Sequence, residues 1–202
     1  MSRKLISWPW AVPALAVLSF FWAASARAQS SSSGPQPSKA GPVRFTAIAA
    51  NLTPSRGPMT QVLEITIARW STEAECNQLT EALKANGQQG LLKALQQLPA
   101  VGYIRTPSSL GYELRYARLD TSKDGGQRIF VLTDRFVGFG ELINQSRSLD
   151  YPFTMIQMRL KPNGEGDGQL SPATSISEAD TLLIVENYGI QPIQLTSVRR
   201  EK

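Results

Sequence analysis

The chain has 202 residues, with 21 Lys and Arg against 16 Asp and Glu, no histidine and one cysteine. The missing histidine excludes Ser-His-Asp and Cys-His nucleophilic catalysis, and zinc sites built from His and paired Cys. With Cys76 as the lone thiol no disulfide can form within the chain, so stability has to come from packing.

In chain order, Arg3 and Lys4 precede an apolar stretch from Leu5 to Ala24 that ends in Ala26-Arg27-Ala28, the arrangement of a secretory signal peptide. Pro9 and Pro13 interrupt the stretch, which favours cleavage after Ala28 over a retained anchor. Residues 1–28 are therefore read as a signal peptide, and no membrane span is expected once it is gone. Arg3, Lys4 and Arg27 leave with it, so removing three of 21 basic side chains leaves 18 against 16 acidic ones. These are scattered along the chain, and no nucleic-acid partner is implied. Residues 29–42 are rich in Ser, Pro and Gly and read as a flexible lead-in. A single domain over 43–202 follows, long enough for a real core.

Strands are expected over 43–50 and 61–70. Thr72 followed by Glu75 is a capping box, which predicts a helix over about 73–86 with Gly87 as its stop. Cys76, Leu79 and Leu83 then share one stripe, which makes Cys76 a small buried apolar residue rather than a reactive thiol. Leu91, Leu92, Leu95 and Leu98 repeat at helical spacing before Pro99 and predict a second helix over about 89–98. Further strands are expected over 101–106, 110–119, 127–135, 152–160, 169–176, 181–187 and 192–199. The short turns between them, marked most clearly by Asp124-Gly125 and Asn163-Gly164, imply antiparallel pairing. Alternation in Leu63, Ile65 and Ile67, in Ile129, Val131 and Thr133, and in Ile156, Met158 and Leu160 gives the sheet one apolar face. The expected class is α+β: a large, mostly antiparallel sheet with two consecutive helices inserted after the second strand and packed on one face.

Motifs for chemistry are sparse. Asp120-Thr-Ser-Lys-Asp124-Gly125 places oxygens where a calcium loop would, but Val131 stands where a bidentate Glu is required, and a hairpin turn accounts for the segment. No metal or cofactor is assigned. Asp134-Arg135-Phe136-Val-Gly138-Phe139-Gly140-Glu141 takes a strand end, carrying an acid and a base, into a Gly-rich aromatic loop. Asp134, Arg135, Phe136, Phe139 and Glu141 are the candidate ligand-binding residues, with the phenylalanines stacking on a ring and the charges orienting it. The competing reading is a loop that tucks phenylalanines over an open end of the sheet while Arg135 and Glu141 pair at the surface.

Thr133-Asp134-Arg135, Ser148-Leu-Asp150-Tyr151-Pro152-Phe153 and Val185-Glu186-Asn187-Tyr188 together resemble a pattern found in exported bacterial proteins with no assigned activity, over roughly residues 43–199. The resemblance implies a bacterial, exported protein, periplasmic or secreted, and carries over no catalytic residue. The expected role is a non-catalytic binding or interaction module that takes an extracytoplasmic protein or small molecule through a sheet face or the loop after Asp134. One alternative is a hydrolase using two carboxylates drawn from Glu64, Glu113, Asp134, Glu141 and Glu186. The other is a structural subunit of a cell-envelope assembly, marked by an exposed apolar patch or an unpaired edge strand.

Overall fold

The computed structural model describes residues 4–6, 41–51, 59–107, 109–135, 137, 150–179, 182–187 and 191–201. Along these run β1 (Lys4–Ile6), β2 (Val43–Asn51), β3 (Met59–Ile67), α1 (Glu73–Gln97), β4 (Gly102–Arg105), β5 (Tyr112–Leu114), β6 (Tyr116–Thr121), β7 (Gln127–Thr133), β8 (Phe153–Leu160), β9 (Glu165–Ala179), β10 (Leu182–Asn187) and β11 (Ile193–Arg200). The expected cleavage site lies outside the described residues, as does the expected lead-in apart from Gly41 and Pro42, both exposed.

All strands belong to one antiparallel sheet whose path runs β5-β4-β3-β2-β11-β9-β8-β7-β6. The two ends of that path, β5 and β6, are consecutive in the chain with Arg115 alone between them, so the sheet curls until it nearly closes as a barrel. Across this seam the Arg115 N–H donates to Leu132 O at 3.2 Å, and Thr133 Oγ1 donates to Glu113 O at 2.7 Å. The strand expected over 110–119 is therefore two, because the chain leaves β4 at Arg115 and takes up β7 instead.

Hairpin turns set the register. After β6 the Gly125 N–H donates to Ser122 O at 3.0 Å with Gly125 at φ 79°, a backbone that suits glycine, and Asp124 Oδ1 accepts from the Gly126 N–H. After β8 the Gly164 N–H donates to Lys161 O at 2.9 Å, and Asn163 Oδ1 accepts from the Glu165 N–H. The segment read as an incomplete calcium loop is the first of these turns.

Period-2 alternation becomes an inside and an outside. Phe45, Leu63, Ile65, Ile104, Leu114, Ile129, Val131, Ile156, Met158, Leu170 and Leu195 fill the barrel as one buried cluster. The apolar outward positions are concentrated where α1 lies. Tyr116, Leu132, Phe153, Met155 and Ile176 form a second cluster with Cys76, Leu79, Leu83, Leu91, Leu95 and Leu98 of the helix and its C-cap. The start of β8 is thus buried on both faces, which explains why Phe153 to Ile156 read as continuous rather than alternating burial.

The helical region breaks at Gly87, the expected stop of the first of two helices, but the two halves are not separated by a loop. One helix, Glu73–Gln97, spans it, and only Asn86 (φ −134°, ψ 18°) and Gly87 (φ 58°, ψ −153°) leave helical geometry. The interruption is two residues long, too short for a loop. It bends the helix sharply: a Cβ on Gly90 would overlap Ala82 O, so the two halves approach closely at the bend. Both halves thereby present their leucines to the same outer face of the sheet. The capping box forms as the spacing predicts, with Thr72 Oγ1 accepting from the Glu75 N–H and Glu75 Oε2 accepting from the Thr72 N–H at 2.8 Å. Among the described residues no helix is long and apolar enough to cross a membrane.

Candidate functional site

The barrel seam gathers the polar groups that packing alone does not explain. Arg115 is its hub because it is the single residue between β5 and β6 and its guanidinium lies against the end of α1. Its Nη1 donates to Leu98 O at 3.1 Å, its Nη2 lies 2.8 Å from Glu113 Oε2, and its Nε lies 4.0 Å from Asp134 Oδ1. Gln96, on the last turn of α1, donates to Asp134 Oδ2 at 3.4 Å. Asp134 is 6 % exposed, so it sits among these neighbours largely away from solvent.

Beneath the seam a row of buried hydroxyls crosses β7, β8 and β9. Thr133 pairs in register with Thr154, and Phe153 pairs with Thr174. Thr154 Oγ1 donates to Pro172 O at 2.9 Å and accepts from the Val137 N–H at 3.1 Å, while Thr174 Oγ1 donates to Phe153 O. The β8–β9 register shifts between Phe153 and Met155, and these hydroxyls satisfy backbone groups that the ladder leaves there. Val137, fully buried, packs into the barrel core.

Of the candidate ligand-binding residues, Asp134 is buried in the seam beside Arg115 and Gln96, whereas Arg135 is exposed, with its backbone N–H donating to Thr133 Oγ1. Phe136, Phe139 and Glu141 lie outside the described residues. Among the carboxylates considered for a hydrolase, Glu64 is held by Arg105 at 2.6 Å across β3 and β4. Glu113 and Asp134 share Arg115, and Glu186 is half-buried on β10. Arg115 and Gln96 were not among the sequence candidates. The only sequence signal for Arg115 is a basic residue interrupting an otherwise regular strand, and for Gln96 there is none, since its role follows from where the helix end lands.

A second cluster surrounds Cys76, which is buried on the helix stripe as its spacing predicts. Arg118 Nη1 approaches Cys76 Sγ at 3.5 Å and Arg118 Nε donates to Asp120 at 3.0 Å. Burial, then the side chain of Cys76, push the Tyr116 hydroxyl well above its usual pKa, so it stays protonated. Burial works against the Arg118 charge, but Asp120 and Tyr116 more than offset it and raise its pKa. The thiol therefore sits in a packed, hydrogen-bonded setting. Among the described residues no group of three or more His, Cys, Asp or Glu side chains converges as a metal site requires.

The opposite outer wall, over β2, β3 and β4, is uncovered by the helix. Ile48 and Val62, partners across β2 and β3, are 40 % and 47 % exposed, and Tyr103 on β4 is 36 % exposed with Arg105 stacked over its ring at 5.8 Å. Searched against protein-family models, curated proteins and solved structures, the chain matches none of them.

Proposed function

We propose that this is an exported, non-catalytic interaction module that binds a protein partner in the periplasm or outside the cell through the uncovered outer wall of its barrel. The observation that carries the reading is the exposed pair Ile48 and Val62, with Tyr103 further along the same wall beyond the Glu64–Arg105 pair, on a face whose other outward positions include Thr46, Thr60 and Thr196. Solvent-exposed aliphatic and aromatic side chains grouped on a sheet face mark contact surfaces. The outside of a barrel is convex, whereas small ligands need a concave site that covers most of their surface, so a macromolecular partner suits it better. The close ion pairs of Glu64 with Arg105 and of Glu113 with Arg115 support binding over carboxylate hydrolysis, which needs two acids whose environments set their pKa values apart.

Native mass spectrometry of the protein purified gently from exporting cells tests this. A bound partner is expected on the wild type and its loss on Ile48→Lys/Val62→Lys at unchanged melting temperature. Equal partner occupancy in both proteins would refute the assignment of this wall.

A further inference from the structure

The far end of β9 extends beyond its pairing with β11. It pairs with β10 from Thr174 to Ala179, and β10 in turn pairs antiparallel with β1, in the register Lys4 with Val185, Leu5 with Ile184 and Ile6 with Leu183. The occupant of the outer edge of β10 is thus a piece of the expected signal peptide. Taking that peptide away exposes the outward-facing backbone donors and acceptors of the β10 edge, which alternate with those bonded to β9, and such an edge recruits another strand. Val185 also packs against the helix-side cluster, so the edge is continuous with the core rather than a detached ribbon.

We propose that signal cleavage exchanges β1 for the β10 strand of a second copy, making the mature protein a two-fold dimer joined through an antiparallel β10–β10 pair. This rests on the export reading above. Antiparallel pairing of a strand with its own copy is isologous, the same patch serving both subunits, and it closes without leading to filaments. The register that β1 occupies transfers directly. Leu183, Ile184 and Val185 of the copy stand where Lys4, Leu5 and Ile6 stand, with Ile184 opposite Ile184 on the two-fold axis. The exchange replaces Lys4 by an apolar residue opposite Val185, which favours the copy on an apolar strand.

The test is made on protein from exporting cells. Intact mass first identifies the N-terminus, and native mass spectrometry then gives the oligomeric state. A chain beginning at Gln29 that is twice the monomer mass supports the proposal, and the same chain as a monomer overturns it. A chain retaining residues 1–28 overturns both the proposal and the leader reading, and the mass alone tells these failures apart. Register is read by Ile184→Cys oxidised with glutathione disulfide. Residues directly opposite lie within disulfide reach, whereas Leu183→Cys places the two thiols a diagonal step apart and beyond it. A reducible dimer with Ile184→Cys and none with Leu183→Cys is expected; the reverse, or a dimer of the wild type that neither variant captures, would rule out this pairing.

Discussion

Arg115 reaches Leu98 O, Glu113 and Asp134 at once, and its backbone N–H joins the two ends of the sheet through Leu132 O. Truncation by Arg115→Ala removes those contacts from a buried carboxylate and a helix-end carbonyl. It should lower stability by about 1.5–3 kcal/mol in urea unfolding, the range for hydrogen bonds to charged groups. Arg115→Lys should recover little, because one ammonium cannot reach both Leu98 O and Glu113 as the two terminal nitrogens of a planar guanidinium do. Glu75 offers a pH test. Its hydrogen bond from Arg69, aided by Thr72 and opposed by burial, holds its carboxyl below the ordinary value of 4.5. A carboxylate with a depressed folded pKa adds stability above its unfolded pKa and loses it as pH falls through the folded one. Glu75→Gln should therefore melt below the wild type at pH 7, with the gap closing as the pH drops below about 4, followed by circular dichroism. A gap that stays constant with pH would assign the effect to the cap geometry alone.

At the scale of elements, two backbone features carry the shape. Gly87 sits at φ 58° and ψ −153°, a region occupied essentially by glycine, and the bend there lets the leucines of both halves of α1 face the sheet. Gly87→Ala should cost about 1–3 kcal/mol, seen as a lower urea midpoint. In β11, Ser197 has φ 52° where the register slips against both β2 and β9, a bulge that lets one strand serve two differently curved neighbours. Ser197→Gly should raise stability by up to about 1 kcal/mol, because the left-handed conformation costs a non-glycine residue about 1–2 kcal/mol and glycine loses part of that gain to its unfolded-state freedom. A decrease on this substitution would mean that the serine side chain contributes more than its backbone strain. Strand positions and hairpin turns were legible because alternation and Asp-Gly or Asn-Gly pairs act within a few residues. The split at Arg115 was not, because no glycine or proline marks it and only the partner change from β4 to β7 creates it.

For the whole molecule, the barrel interior and the helix-side cluster share β6, β7 and β8, whose alternate residues serve one or the other. Neither layer can lose its packing without stripping a face from the same strands, so unfolding should be a single cooperative event. Leu95→Ala, at a fully buried helix position, should cost about 2–4 kcal/mol. Its transition should move equally by far-UV circular dichroism and by the emission of Trp70, which packs against the barrel cluster. Separate transitions for the two probes would show that the layers are independent.

The sequence by itself determined the broad class, most strand positions (all but β1, the split at Arg115 and the length of β9), the capped start of the helix and the burial of Cys76, and it excluded histidine and disulfide chemistry. Each of these follows from contacts or absences within a short window: period-2 and period-3.6 spacing, a turn dipeptide, a missing residue type. Only the tertiary structure decided that the sheet curls to near closure, that α1 is one bent element, that Asp134 is buried against Arg115 and Gln96, and that Ile48, Val62 and Tyr103 share an open wall. Those outcomes depend on which strands meet across the chain, and side chains far apart in sequence acquire a common environment only when strand pairing and curvature bring them to one place.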